Sequence, residues 1–248
     1  MSLLYVYAAT KAEAEAVVRA AKESTSHSRP TESRFQIGPN EVVAVTTGMG
    51  PRQARTRAAE SLSQETPEAV IVTGSCGSLT HSLQEGSVVI YTDCLSADGQ
   101  LPTQCSAPAV DSVTDRLRRE GMECTRVVGI TTPRIATTAK EKLDLARSGA
   151  GAVDMESYEL VSAAAARRIP AVVIRVVSDS VERDLPDFNR ALKPDGTVNP
   201  WAMLRIVLGS PLRTAKLVSL NRKAMAILTP ALRAVLSTDW TAANMLRQ

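Results

Sequence analysis

Apolar residues in this chain fall into short, almost unbroken runs, and between the runs they return only every third or fourth position. The runs at 3–8, 41–47, 69–73, 86–92, 124–130 and 171–177 are too short for buried helices and read as strands covered on both faces. The intervening stretches at 11–21, 51–63, 113–120 and 140–147 carry the helical spacing. A second short run at 34–37 pairs with 41–47 as a hairpin, with Gly38, Pro39 and Asn40 as its turn. Strands alternating with helices predict an α/β domain. After residue 179 the pattern changes. Residues 181–200 are rich in Pro, Asp and Arg and read as a long loop. Helical spacing resumes at 201–208 and 212–236, where Leu217, Leu220, Ala224, Leu228, Ala231 and Val235 share one face. The expected organisation is one α/β domain over 1–200, with a helical extension over 201–248 packed on it.

A chain of 248 residues can bury one sizeable core. The formal charge of +3 carries no nucleic-acid signature, and no apolar run approaches the roughly 20 residues that span a bilayer. The first residues lack the charged region and cleavage site of a secretory signal. The cysteines Cys76, Cys94, Cys105 and Cys124 are scattered, which argues against a zinc site or a disulfide framework and suits a cytoplasmic protein. With only His27 and His81, a histidine-based metal centre is not expected. Aromatic residues are 3% of the chain, so a flat ligand would be held mainly by aliphatic side chains and backbone.

The candidate chemistry collects where strands end, the edge at which open α/β sheets bind ligands. Asp154, Met155 and Glu156 form an acidic strand-to-helix turn, and Ser178-Asp179 follows the next buried run. Asp179 could cap the following turn; alternatively, burial favours a protonated carboxyl there, as a general acid requires. Gly48, Met49 and Gly50 precede Pro51 at the start of a helix, a turn that lets backbone N–H groups face an anion, and Arg52 could add charge or simply be exposed. The segment Gly74-Ser75-Cys76-Gly77 leaves room for something flat against the main chain, with Cys76 as a small packing residue and not a nucleophile. Thr10 and Glu13 have capping-box spacing.

Asp154-Met155-Glu156 and Ser178-Asp179, in this order and spacing, resemble the motifs of the nucleoside phosphorylase and nucleosidase superfamily, which breaks the bond between a purine and a ribose. The resemblance spans essentially residues 3–179. It implies a three-layer α/β/α fold around a central mixed, partly barrel-like sheet. It also implies that Glu156, with Asp154 and Met155, holds the sugar, while Asp179, oriented by Ser178, protonates the leaving base. Ser75, Cys76 and Gly77 would lie below the base. Ile135 takes the place where relatives stack an aromatic. Gly48, Met49, Gly50 and Arg52 would hold the nucleophile or the ribose. Many nucleosidases place a water-activating Glu after the first strand; Glu13 falls there, with Glu15 as the alternative.

Hexameric purine phosphorylases carry a phosphate-clamping arginine where this chain has Val72, which tells against phosphate. A softer likeness favours it. Residues 133–236, including the run Pro194-Asp195-Gly196-x-Val198 and the run from Lys140 or Lys142 to Gly149-Ala150, resemble the hopanoid-associated phosphorylases that act on adenosylhopane. The expectation is therefore phosphorolysis of an adenosine-type nucleoside, with hydrolysis of the methylthioadenosine/S-adenosylhomocysteine type through Glu13, or non-catalytic binding on the same fold, as the alternatives. No cofactor or metal is implied beyond inorganic phosphate as a co-substrate. A homo-oligomer is implied, without nucleic-acid partners. The basic helix at 212–236 leaves two readings open: packing on the sheet or a second subunit, or peripheral contact with a membrane surface.

Overall fold

A computed structural model describes residues 2–21, 27–29, 32–191, 193 and 199–241. Pro194–Val198, one carrier of the branch resemblance, lies outside the described residues.

Strand β1 (Ser2–Ala8) sits parallel between β4 (Asn40–Thr46) and β5 (Ala69–Ser78). Beyond β4, β3 (Glu32–Ile37) and β2 (His27–Arg29) extend an antiparallel wing. On its other side β5 pairs with both β9 (Ala152–Asp154) and β10 (Ala171–Asp179). From β10 the sheet continues through β6 (Val88–Ser96) and β8 (Cys124–Thr131) to β9, and so returns to β5. Five strands therefore close on themselves while the rest stay open, a mixed sheet that is partly a barrel. Of the runs read as doubly covered, the one in β10 is buried throughout, whereas the run at 124–130 is not: Thr125 and Arg126 of β8 are exposed, and burial begins at Gly129.

Helices α1 (Lys11–Ala20) and α3 (Ala107–Arg119) share one layer with α7 (Pro211–Leu236); α2 (Pro51–Gln64) packs with α5 (Ser157–Ala165) in another. The short helices α4 (Ala139–Ala146) and α6 (Pro200–Gly209) complete the set described. Both α1 and α4 begin with a full capping box, Thr10 with Glu13 and Thr138 with Glu141.

The elements depart from the sequence pattern in three further places. Strand β5 does not end with the apolar run at residue 73: pairing to β10 and β9 carries it through to Ser78. The stretch at 93–108, outside the runs and helical segments that the pattern marks, is largely structured, because β6 runs on to Ser96, β7 (Thr103–Gln104) pairs back onto it, and α3 starts at Ala107. The one-sided helix at 212–236 is buried only in its second half, through residues such as Ala224, Leu228, Ala231 and Val235. Its first half borders a cavity, and with α6 it leaves Trp201, Leu208 and Leu212 exposed.

Candidate active site

The carboxyl ends of β1, β5, β9 and β10 converge on a cavity of about 500 Å³. Of the residues expected at a site, Glu13, Met49, Ser75, Cys76, Gly77, Ile135, Asp154, Met155, Glu156, Ser178 and Asp179 line it. Gly48, Gly50 and Arg52 are not among the lining residues, and Arg52 is exposed. Glu15 lies on the outer face of α1, in an exposed pair with Arg19.

Glu13 is buried, and its two oxygens have different partners. One closes the capping box, accepting from the N–H groups of Ala9 (3.1 Å) and Thr10 (2.9 Å). The other accepts from the Ser75 N–H at 2.8 Å and the Ser75 hydroxyl at 3.1 Å. The cap and the cavity-facing carboxylate are thus one side chain, rigidly oriented before any ligand arrives. Gly74 makes that reach possible: at φ 142°, a Cβ there would come within 2.4 Å of the Glu13 Oε1.

Beside it lies a three-charge cluster. Asp154 Oδ1 accepts from the Thr131 hydroxyl (2.9 Å) and from the N–H groups of Glu156 and Ser157 (3.0 Å each). Arg175, in the middle of β10 and only 1% exposed, stands 3.5 Å from both Asp154 Oδ2 and Glu156 Oε2. Its remaining donors reach the Ser75 carbonyl (3.1 Å) and the Ser157 hydroxyl (3.0 Å). Burial alone would raise the Asp154 carboxyl, but Arg175 and these donors outweigh it and hold the group below its ordinary range. For Glu156 burial wins: against Arg175, and helped by the charge of Asp154, it is pushed up to about 7. Burial would lower the Arg175 guanidinium, yet the two acids hold it above its ordinary value. The N–H of Gly50 donates to Glu156 Oε1 at 2.9 Å. The glycine turn expected to meet an anionic ligand therefore holds the protein's own carboxylate.

At the other end of the cavity Asp179 is 5% exposed. Its Oδ1 accepts from the Ser178 hydroxyl at 2.7 Å, and the same hydroxyl lies 3.2 Å from the Cys76 carbonyl. Its Oδ2 accepts from Lys142 Nζ at 2.5 Å. Gly77 lets the carboxylate approach β5, since a Cβ there would meet Asp179 Oδ2 at 3.1 Å. The Cys76 thiol is pushed far up by burial, which keeps it protonated and suits a packing residue. Ile135 is fixed by the Asn189 carboxamide, which accepts from its N–H and donates to its carbonyl, each at 2.9 Å.

Arg175, Lys142 and Phe188 are among the residues that reading the sequence missed as parts of the site. Phe188 reaches the cavity from the segment after β10 and gives it an aromatic wall. Arg175 did carry a signal: an arginine inside an otherwise apolar strand is rarely tolerated unless paired.

The model of the phosphorylase superfamily matches residues 4–195, and the chain belongs to that family. It is an enzyme of the nucleoside phosphorylase and nucleosidase type, which cleaves N-glycosidic bonds. Among its relatives is the 5′-methylthioadenosine/S-adenosylhomocysteine nucleosidase of Bacillus thuringiensis (strain Al Hakam), 28% identical over 165 residues, covering 59% of this chain and 71% of that protein. The nucleosidase of that name from Neisseria meningitidis, solved with methylthio-immucillin-A, superposes with a TM-score of 0.75 at 18% identity over 96% of this chain and 99% of that one. A futalosine hydrolase mutant from Helicobacter pylori strain 26695 superposes with a TM-score of 0.75 at 11% identity, covering 95% and 98%. At these identities the structural matches speak for the fold.

Proposed function

We propose that this enzyme hydrolyses the N-glycosidic bond of an adenosine-type purine nucleoside. The observation that carries this is the carboxylate of Glu13, held by Ser75 and the capping box at the cavity wall, where it can take a proton from water. The water oxygen attacks the anomeric carbon of the ribose as the bond to the purine breaks, and the bonding electrons leave with the base. Asp179, oriented by Ser178, gives its proton to N7 of the purine, so the base departs neutral. Glu156 accepts from the ribose hydroxyls and Met155 packs on the sugar. The buried carboxylates favour the positive charge that develops on the sugar ring.

Phosphorolysis, with a long apolar group at the 5′ carbon as in adenosylhopane, is the second reading. It is supported by the cavity's apolar side at Leu185, Phe188, Leu217 and Val218. Against phosphate as the nucleophile, Gly50 is engaged by Glu156 and Arg52 lies outside the cavity. With this reading goes a peripheral membrane contact through α6 and α7. Their basic residues Arg205, Arg213, Lys216, Arg222, Lys223 and Arg233 have no acidic neighbour between positions 200 and 236. A homo-oligomer is the assembly that the resemblance implies.

Base release from methylthioadenosine, adenosine and a 5′-alkylated adenosine, each with and without phosphate, separates the readings. Hydrolysis gives phosphate-independent release and free ribose. Strict dependence on phosphate, or preference for the alkylated substrate on sedimenting anionic vesicles, favours the second.

A further inference from the structure

Lys142 is the one buried residue of α4, and its side chain is fully enclosed. An ammonium has three protons to donate, and all three are placed. They go to Asp179 Oδ2 (2.5 Å), the carbonyl of Ser180 (2.8 Å) and the carbonyl of Arg183 (3.1 Å). The helix that carries Lys142 is anchored at its start by the Thr138–Glu141 capping box and by the Ala139 N–H donating to Asp184 at 2.9 Å. The lysine is therefore delivered to the far side of Asp179 by a rigid element. It does not line the cavity.

A lysine is rarely buried without a strict partner. Two neutral carbonyls would suffice to tie down a turn; the third contact goes to the carboxyl group proposed above as the proton donor. Several other charges near this end of β10 have partners of their own. Arg175 faces Asp154 and Glu156, and Arg183 pairs with Glu85 at 2.6 Å. Glu182 meets His81 on the exposed rim, and the Cys76 thiol is held neutral by burial. Among the described residues, Lys142 is the cation that pairs with Asp179.

We infer that Lys142 is a positioning residue for proton transfer to the leaving base: it fixes the Asp179 carboxyl and stabilises the negative charge that appears there as the proton departs. In the step, the bond between ribose and purine breaks, its electron pair moves into the base, and the proton on Asp179 passes to N7. The carboxylate left behind is the one the ammonium faces. Ammonium against carboxylate is the arrangement reached once the proton has gone, so the pairing is strongest where the reaction needs it. Solvent returns the proton when the base has left.

The inference rests on Asp179 as the donor, and a leaving group that needs no proton tests both claims separately. With 4-nitrophenyl β-D-riboside the phenolate departs unaided. Lys142→Met is expected to lower turnover of the purine nucleoside on the order of 100-fold, the scale of one preorganised electrostatic contact, and to spare the nitrophenyl riboside. Lys142→Arg, which keeps the charge, should recover part of the loss. Asp179→Asn, run alongside, should show the same selectivity to a greater degree. Equal losses on both substrates, or no loss on either, would overturn the role of Lys142. If Lys142→Met does not fold, Lys142→Gln carries the test; failure of both charge-removing variants to fold would make the lysine structural and end the proposal. Undiminished purine release by Asp179→Asn would instead sink the assignment of the acid itself.

Discussion

At the sugar end of the cavity Asp154 and Glu156 share a single guanidinium, that of Arg175; at the base end Asp179 has the ammonium of Lys142 to itself. Both ends are buried, and both are built from carboxylates at strand termini. The difference is the number of counterions. Two acids on one cation would leave a surplus of negative charge, and burial relieves it at Glu156, whose carboxyl is pushed up to about 7 and so favours its protonated form. A carboxyl poised near neutrality can give up that proton, and as a carboxylate it accepts from hydroxyls and faces a cationic sugar. A matched pair suits a group that must change its own charge during the reaction. The same residue type is thereby given different chemistry by its neighbours.

The comparison can be broken most severely at its centre. Arg175→Met leaves two buried acids without a partner, and removing one member of a buried pair costs about 3–5 kcal/mol. Denaturant unfolding is expected to show a loss of that size, and an unchanged midpoint would mean that water already reaches the cluster. Asp179→Asn acts at the other end and should leave stability nearly intact, because the amide oxygen still accepts from Lys142. Turnover should fall by roughly 100- to 10,000-fold, the usual worth of a positioned acid.

The smallest effect is the most diagnostic. Glu156 is raised in the folded protein from 4.5 to about 7, so the folded state favours its protonated form. The stability it contributes is fully present below about 4.5 and is lost as pH rises through about 7. Glu156→Gln should therefore melt higher than the unaltered protein at pH 8 and no higher at pH 5, while nucleoside binding, which needs the carboxylate, is weakened at pH 8 and little changed at pH 5. A pH-independent difference in melting between the two proteins would mean that Glu156 is already ionised at acid pH.

Much of the site was legible because its carboxylates sit at strand ends and helix starts, where local pattern is strongest. Asp154, Glu156 and Asp179 follow from two short apolar runs and the turns that close them. Glu13 shows the limit of local reading. Spacing offered a cap and the family resemblance a water-activating carboxylate, whereas one oxygen serves the cap and the other reaches Ser75, 62 positions away. Arg52 shows the converse: a plausible charge beside a glycine turn, carried to the surface by the first turn of α2.

What the sequence determined by itself is the succession of strands and helices, the two capping boxes and the acidic residues at the sheet's edge, because apolar period and side-chain hydrogen bonds act over a few residues. Only the tertiary structure decided which cation meets which acid. Lys142 and Asp179 are 37 positions apart, and Arg175 meets residues from β5, β9 and α5. Such pairs form because burial removes water from both partners at once, and nothing in either segment alone records that the other will be there.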